Sequence, residues 1–223
     1  MTDCFALLSE TRRPWLEAAA LKQKFLALSA SLHPDKVHSA GAAARSGAAK
    51  SFAELNAAHQ CLAEPKSRLL HLLELELGAK PKDIQEIPAA LADQFAEVAI
   101  TCRNADQFLA EKSRVTSPLL QVQWFERGQG WVEKLQALQQ KLNGLHGRLL
   151  AALKTLDGRW MQAEAVRLPA ETKPSLTAQN AGSTAEAGTR REILAEAEKL
   201  YRLFAYFNRW SGQIQERIVQ LSI

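Results

Sequence analysis

The 223-residue sequence predicts an all-α chain, an antiparallel helical hairpin followed by an antiparallel three-helix bundle. Three observations carry this expectation. Apolar residues recur at spacings of three and four along most of the chain, which is one face of a helix. The composition is rich in Leu, Ala, Gln, Glu and Lys and holds only 2 Tyr and 8 Phe, a mix that favours helix over strand. No segment carries a convincing strand pattern.

The first helix of the hairpin spans Trp15 to Leu32, with Leu21, Phe25, Leu28 and Leu32 on one face. Pro34 forbids its continuation and biases His33 away from helical geometry, so it stops at His33-Pro34-Asp35. The small residues from Ser39 to Gly47 read as a loop. A second helix, Ala48 to Ala63, places Phe52, Leu55, His59 and Leu62 on one face, and Pro65 breaks it. Leu69, Leu72, Leu73 and Leu77 mark a shorter helix ended by Gly78, a suitable C-terminal glycine. Pro81 and Pro88 bracket a linker over 79–90.

In the second region Leu91, Phe95, Val98, Cys102 and Leu109 mark one helix. Pro118 opens the next, with an interruption expected at Gly128 and Gly130. Trp131, Leu135, Leu138, Leu142, Leu145, Leu149, Leu153, Leu156 and Trp160 then form a heptad-like seam. Residues 168–190 are rich in Ala, Thr, Gly, Pro and Ser without apolar periodicity and read as a flexible loop. The last helix, Arg191 to Leu221, carries a facing seam of Ile193, Ala197, Leu200, Phe204, Phe207, Ile214, Ile218 and Leu221. Trp124, Trp131, Trp160 and Trp210 fall at helical spacing and read as core.

Composition and motifs exclude several functions. The net charge of +4 comes without a dense Lys/Arg block or a basic-aromatic motif, so no nucleic-acid partner is expected. Cys4, Cys61 and Cys102 form no C-x-x-C pair, which argues against a disulfide framework and a thiolate zinc site. Of the other ligand types, His33, Asp35, His38, His59 and Cys61, the last two lie two apart and face different sides of a helix. No metal and no cofactor are therefore expected. A nucleophile elbow, a P-loop and H-E-x-x-H are all absent, so the chain does not read as an enzyme. No apolar run is long enough for a membrane span and no secretory h-region is present, so a cytoplasmic protein is expected.

The tripeptide at 33–35 gains meaning from its surroundings. Leu21-Lys22-Gln23-Lys24-Phe25 running into His33-Pro34-Asp35-Lys36 resembles the J-domain pattern, an amphipathic basic helix ending in H-P-D-K. Phe52-Ala53-Glu54-Leu55-Asn56-Ala57-Ala58, with Leu62, Pro65 and Arg68, is similar to that family's third helix, F-x-x-I-N-x-A-Y-x-x-L-x-x-P-x-x-R. Among J-proteins the chain most resembles the HscB type, co-chaperones of iron–sulfur cluster assembly. Asp3-Cys4-Phe5-Ala6-Leu7-Leu8 is similar to the D-Y-F-x-L-F opening. The long stretch from His33 to Asn56 fits the HscB loop. Arg68-Leu69-Leu70-His71-Leu72-Leu73 followed by Leu77-Gly78 is similar to R-A-E-Y-L-L…G. Leu156-Asp157, Trp160 and Lys199-Leu200 resemble the C-terminal bundle more loosely. On this resemblance residues 1–78 are a J-domain, 79–90 a linker, and 91–223 the bundle, with 168–190 as an insertion.

The resemblance implies a co-chaperone. His33, Pro34 and Asp35 would dock on a DnaK/HscA-type chaperone and stimulate its ATPase by favouring the hydrolysis-competent state, with Lys22, Lys24 and Lys36 steering the encounter. The bundle would present a client, an IscU-type iron–sulfur scaffold, through Gln94, Phe95, Glu97, Val98, Tyr201 and Phe204. Seam phase places Phe95 and Phe204 inward and Gln94, Glu97, Arg103 and Tyr201 outward. His59 stands where the family has a packed Tyr, so a buried ring is expected. Two departures weigh on this reading. Leu26 replaces the usual Arg of the basic helix, with Ala27, Ser29 and Ser31 beside it, which makes docking weak or salt-sensitive. The segment Gln94 to Ala99 lacks most of the family's acidic residues. A general J-domain co-chaperone, or a helical interaction scaffold with a different client, is the alternative.

Overall fold

Prolines and one left-handed glycine set the helix boundaries of the first part of the chain. The structure, a computed structural model, describes residues 2–32, 42–81, 88, 91–170 and 182–222, with backbone alone at 42–45, 166–170 and 182–187. Seven helices and no strand occur among the described residues: α1 Cys4–Leu7, α2 Ala18–Leu32, α3 Ala42–Ala63, α4 Pro65–Leu77, α5 Ala92–Lys112, α6 Pro118–Ala170 and α7 Gly182–Ser222. Asp3 caps α1 through its carboxylate, which accepts from the N–H groups of Phe5 and Ala6. Glu64 does the same for α4 from the N–H groups of Lys66 and Ser67, and Pro65 occupies the first turn, where its missing N–H is harmless. Gly78 ends α4 at φ 70°, a conformation a side chain would strain.

The chain forms two compact units, unit 1 from Met1–Lys82 and Ala151–Arg202, and unit 2 from Asp83–Leu150 and Leu203–Ile223. The sequence reading divides the chain only at 79–90; the grouping of 151–202 with the N-terminal helices is made by side-chain partners far apart in sequence. In unit 1, α1, α2 and α4 all pack on α3. Phe5, Leu8, Leu21, Leu55, Leu62, Leu69, Leu72 and Leu73 are buried there, as are Leu153, Leu156, Trp160, Ile193 and Ala197. His59 is half-buried and stacks on Phe25 at 4.2 Å, so its ring does pack between α2 and α3. Leu32, expected on the buried face of α2, is exposed.

Polar groups fix the segment between α1 and α2. Arg13 pairs through both guanidinium branches with the buried carboxylate of Asp157, which also accepts the N–H of Trp15 at 3.1 Å. Trp160 Nε1 donates to the carbonyl of Arg12 at 2.9 Å, and buried Arg68 donates to those of Pro14 and Leu62. Burial pulls the Arg68 pKa down to about 10, so the side chain stays charged at neutral pH.

Unit 2 is an up-down-up bundle, and its register can be read from side-chain pairs. Between α6 and α7, His146 stacks on Phe207 and Gln139 donates to Gln215, so residue numbers run in opposite directions. Glu97 pairs with Lys141 and Phe108 packs against Trp131 and Trp124, which makes α5 antiparallel to α6 as well. Phe95–Trp210 and Asp106–Arg217 then place α5 parallel to α7.

Four expectations need correction. α6 is continuous through Gly128 and Gly130. Each glycine costs roughly 1 kcal/mol against Ala, and the aromatic packing of Trp124 and Trp131 on Phe108 offsets this. α3 begins at Ala42, inside the expected loop, in an Ala-rich stretch of high helix propensity. Residues 168–170 and 182–190, read as part of a flexible loop, are helical; 171–181 lie outside the described residues. Arg190 anchors the start of the return helix through Glu76 and Glu164 and lies over Trp160. The buried face of α5 runs through Leu91, Val98, Cys102, Ala105 and Phe108, leaving Phe95 exposed and Leu109 half-buried. The phase is rotated because Phe108 fills the space between the two tryptophans.

Replacing Asp157 by Ala removes the partner of the Arg13 guanidinium and of the Trp15 N–H. The expected loss is about 2–3 kcal/mol, below that of a fully buried pair because Arg13 is partly exposed. Urea unfolding should show a lower midpoint; a change under about 0.5 kcal/mol would contradict this account.

Candidate functional site

The expected chaperone surface begins on α2. Lys22 is exposed. Lys24 is held back against the turn after α1, where its ammonium pairs with Glu10 at 2.9 Å and donates to the Ser9 carbonyl at 3.1 Å. Leu26 is 53% exposed. The outward face of α2 thus presents an exposed apolar side chain after two lysines, one exposed and one paired with Glu10. His33, Pro34, Asp35 and Lys36 lie outside the described residues, as do His38 and the turn they would form.

The expected client residues fall into both units. Gln94, Phe95, Glu97, Val98 and Phe204 belong to unit 2, and Tyr201, half-buried, to unit 1. Val98 and Phe204 are buried, so neither meets a partner without repacking. Phe95, expected inward, is 42% exposed and touches Trp210 with its ring tilted. Glu97 is exposed and pairs with Lys141. Gln94 is half-buried, and its Oε1 has no hydrogen-bond partner among the described residues. Gln94, Glu97, Leu138, Lys141 and Arg148 line one shallow groove between α5 and α6. Arg103 is exposed. Of the four tryptophans read as core, Trp160 and Trp210 are buried; Trp124 and Trp131 are half-buried, with Arg127 and Lys134 over their rings.

The fold also gathers side chains that the sequence reading did not associate. Cys4 of α1, Cys61 of α3 and His71 of α4 bring their ligand atoms within 4.8 Å of one another. Burial pushes the Cys4 thiol up and the Cys61 thiol up to about 12, and it holds His71 below the usual imidazole range. Beside them, burial alone would raise Asp3, but the hydrogen bond and charge of Arg12 and the N–H groups of Ala6 and Phe5 outweigh it and lower the carboxyl pKa. A search for C-x-x-C spacing misses this trio, since no two of its members are near in sequence. Only the hairpin's own packing joins them.

No protein-family model matches the sequence, and no curated protein does. Among solved structures the chain is similar to the human co-chaperone protein HscB, with a TM-score of 0.55 at 15% identity over 96% of this chain and 81% of that one. The chain has an HscB-like fold. The chaperone HscB from Vibrio cholerae is also similar, at 19% identity over 91% of this chain and 97% of its own, with a TM-score of 0.44. At such identities the HscB-like fold is a likeness of backbone path, and each side chain is judged on its own chemistry.

The exposure of Phe95 separates it from its expected partner in the client list. Phe95→Ala should cost less than about 1.5 kcal/mol in urea unfolding, whereas Phe204→Ala should cost about 3–5 kcal/mol. Equal losses would mean that Phe95 is a core residue after all and is not available to a client.

Proposed function

We propose that the chain is a non-enzymatic co-chaperone that stimulates a DnaK/HscA-type chaperone through His33-Pro34-Asp35 and presents a client held by its C-terminal helices. The observation that carries this is the H-P-D-K sequence directly after α2, an amphipathic helix packed on α3, in a chain whose fold is HscB-like. A histidine and a carboxylate on a proline-restricted turn need no reaction of their own. Binding preferentially to one state of the partner shifts its population toward hydrolysis. Lys22, Lys24 and Lys36 would accelerate the encounter electrostatically, and with Lys24 engaged by Glu10 and Leu26 neutral, the attraction is weak and salt-sensitive. The client is an IscU-type scaffold in iron–sulfur cluster assembly, met through the exposed Phe95 and Glu97 and the half-buried Gln94 and Tyr201. The site of action is the cytoplasm, in keeping with the absence among the described residues of any helix long and apolar enough to cross a membrane.

One observation favours a second reading. Leu119, Leu120, Val122 and Phe125, in the first turns of α6, are all exposed. Exposed apolar side chains clustered at one helix end suit a general J-protein that holds unfolded clients. A titration with an IscU-type scaffold separates the two. Saturable binding weakened by Glu97→Lys or Tyr201→Ala supports the scaffold client; no binding beside intact ATPase stimulation supports the general one.

The chaperone contact has its own test. His33→Gln should leave helical content and melting temperature unchanged while abolishing stimulation of a DnaK-type ATPase at low salt. Equal stimulation by the variant and the wild type would overturn the co-chaperone reading.

A further inference from the structure

The trio on α1, α3 and α4 stands apart from the proposed chaperone and client surfaces. Three elements each contribute one soft or borderline donor, Cys4 Sγ, Cys61 Sγ and an imidazole nitrogen of His71, all within 4.8 Å of one another. Bonds of about 2.3 Å to sulfur and 2.0–2.1 Å to nitrogen place the donors of one ion roughly 3.5–4 Å apart. The donors therefore lie within about 1 Å of a coordinating arrangement, a distance that side-chain rotation covers.

The Nε2 of His71 accepts the backbone N–H of Cys4 at 3.0 Å, which places the ring proton on Nδ1, and an ion bound at Nε2 would take that lone pair over from the N–H. Phe5 stacks on the imidazole and fixes its plane. Cys61 offers its S–H to the Ser67 carbonyl at 3.7 Å, a weak hold that an ion can replace. Asp3 cannot serve as a fourth ligand without dismantling its cap, because its oxygens are taken by Phe5, Ala6 and Arg12. Its Oδ1, 3.9 Å from the imidazole Nε2, still adds negative potential at the place where a cation would sit. The protein thus supplies three donors, and solvent can supply the fourth.

From this geometry we infer that Cys4, Cys61 and His71 form a site for a thiophilic divalent cation of the zinc type. Binding deprotonates both thiols and releases two protons to solvent. Two thiolates then balance the divalent charge and leave a neutral centre, which a half-buried position tolerates; a monovalent cation would leave a net negative charge there. The ion would tie α1 to α3 and α4, a cross-link between the N-terminal turn and the hairpin.

The test uses the full chain, reduced and freed of metal. Titration with Co2+ should produce thiolate-to-cobalt charge-transfer absorption that saturates at one equivalent, and Zn2+ should abolish it and raise the melting temperature. Cys4→Ser and Cys61→Ser should each weaken Co2+ and Zn2+ binding by at least about 100-fold, the upper end of what outer-shell changes cost. His71→Ala should weaken it as well, while Cys102→Ser, in the core of unit 2, should leave it unchanged. Circular dichroism of each variant checks that the helices persist. Failure of the wild-type chain to take up Co2+ or Zn2+ overturns the inference, whatever the variants do. So does uptake of Cu+ alone, or a charge-transfer band that survives both serine substitutions in folded protein. None of these readouts depends on chaperone stimulation, so the site and the co-chaperone reading stand or fall separately.

Discussion

Four residues between α1 and α2, Arg12 to Trp15, form neither helix nor sheet, and unit 1 depends on how their polar groups are satisfied. Backbone groups in a partly buried, irregular segment must find partners or lose the free energy of their hydration. Here the partners are side chains. Trp160 takes the Arg12 carbonyl, Arg68 the Pro14 carbonyl, and Asp157 both the Trp15 N–H and the Arg13 guanidinium. Of the three buried polar or charged residues among those described, two, Arg68 and Asp157, belong to this network. An ionic group in a core adds little to stability against an apolar replacement, but it is strict about geometry. The network therefore specifies how 151–202 meet the N-terminal helices more than it strengthens them.

That network also explains which parts of the fold were legible in the sequence. Apolar periodicity depends on near neighbours, and it located the seams of α6 and α7 and the faces of α3 and α4 almost residue for residue. Proline and glycine act locally too, so the stops at Pro65 and Gly78 were plain. Helix phase was less secure where two aromatic positions compete. Phe95 and Leu109 fit the spacing of α5 as well as Phe108 does, and only the tryptophans of α6 decide between them. Gly128 and Gly130 misled for a related reason, because propensity is a small term beside the packing on either side of them. Partnerships across the chain left no local trace at all. Nothing around Asp157 marks it as the acceptor for Arg13, and nothing in Cys4, Cys61 and His71 marks them as neighbours.

The candidate surfaces divide along the same line. The H-P-D-K sequence was legible because it is contiguous, and its meaning came from resemblance. The status of each lysine was not, since the pairing of Lys24 with Glu10 depends on how the turn at Ser9 lies against α2. A charge tied into an intramolecular pair attracts a distant partner less than its formal value implies. The client residues show the complementary case, in which burial removes Val98 and Phe204 from contact and exposure adds Phe95.

Unit 1 is assembled from two stretches of chain with α5 and the first part of α6 encoded between them, and the ribosome delivers them in that order. Trp160 finds its acceptor 148 residues upstream, and Asp157 reaches back 144 to Arg13. Synthesis of the roughly 120 residues from Lys82 to Arg202 takes on the order of 10 s at ordinary elongation rates. During that interval the hairpin has emerged without Leu153, Leu156, Trp160 and Ile193 to cover it. A fragment ending near residue 82 would keep the same apolar surface uncovered permanently. The apolar surface of the nascent hairpin is therefore covered only after most of the chain has been made.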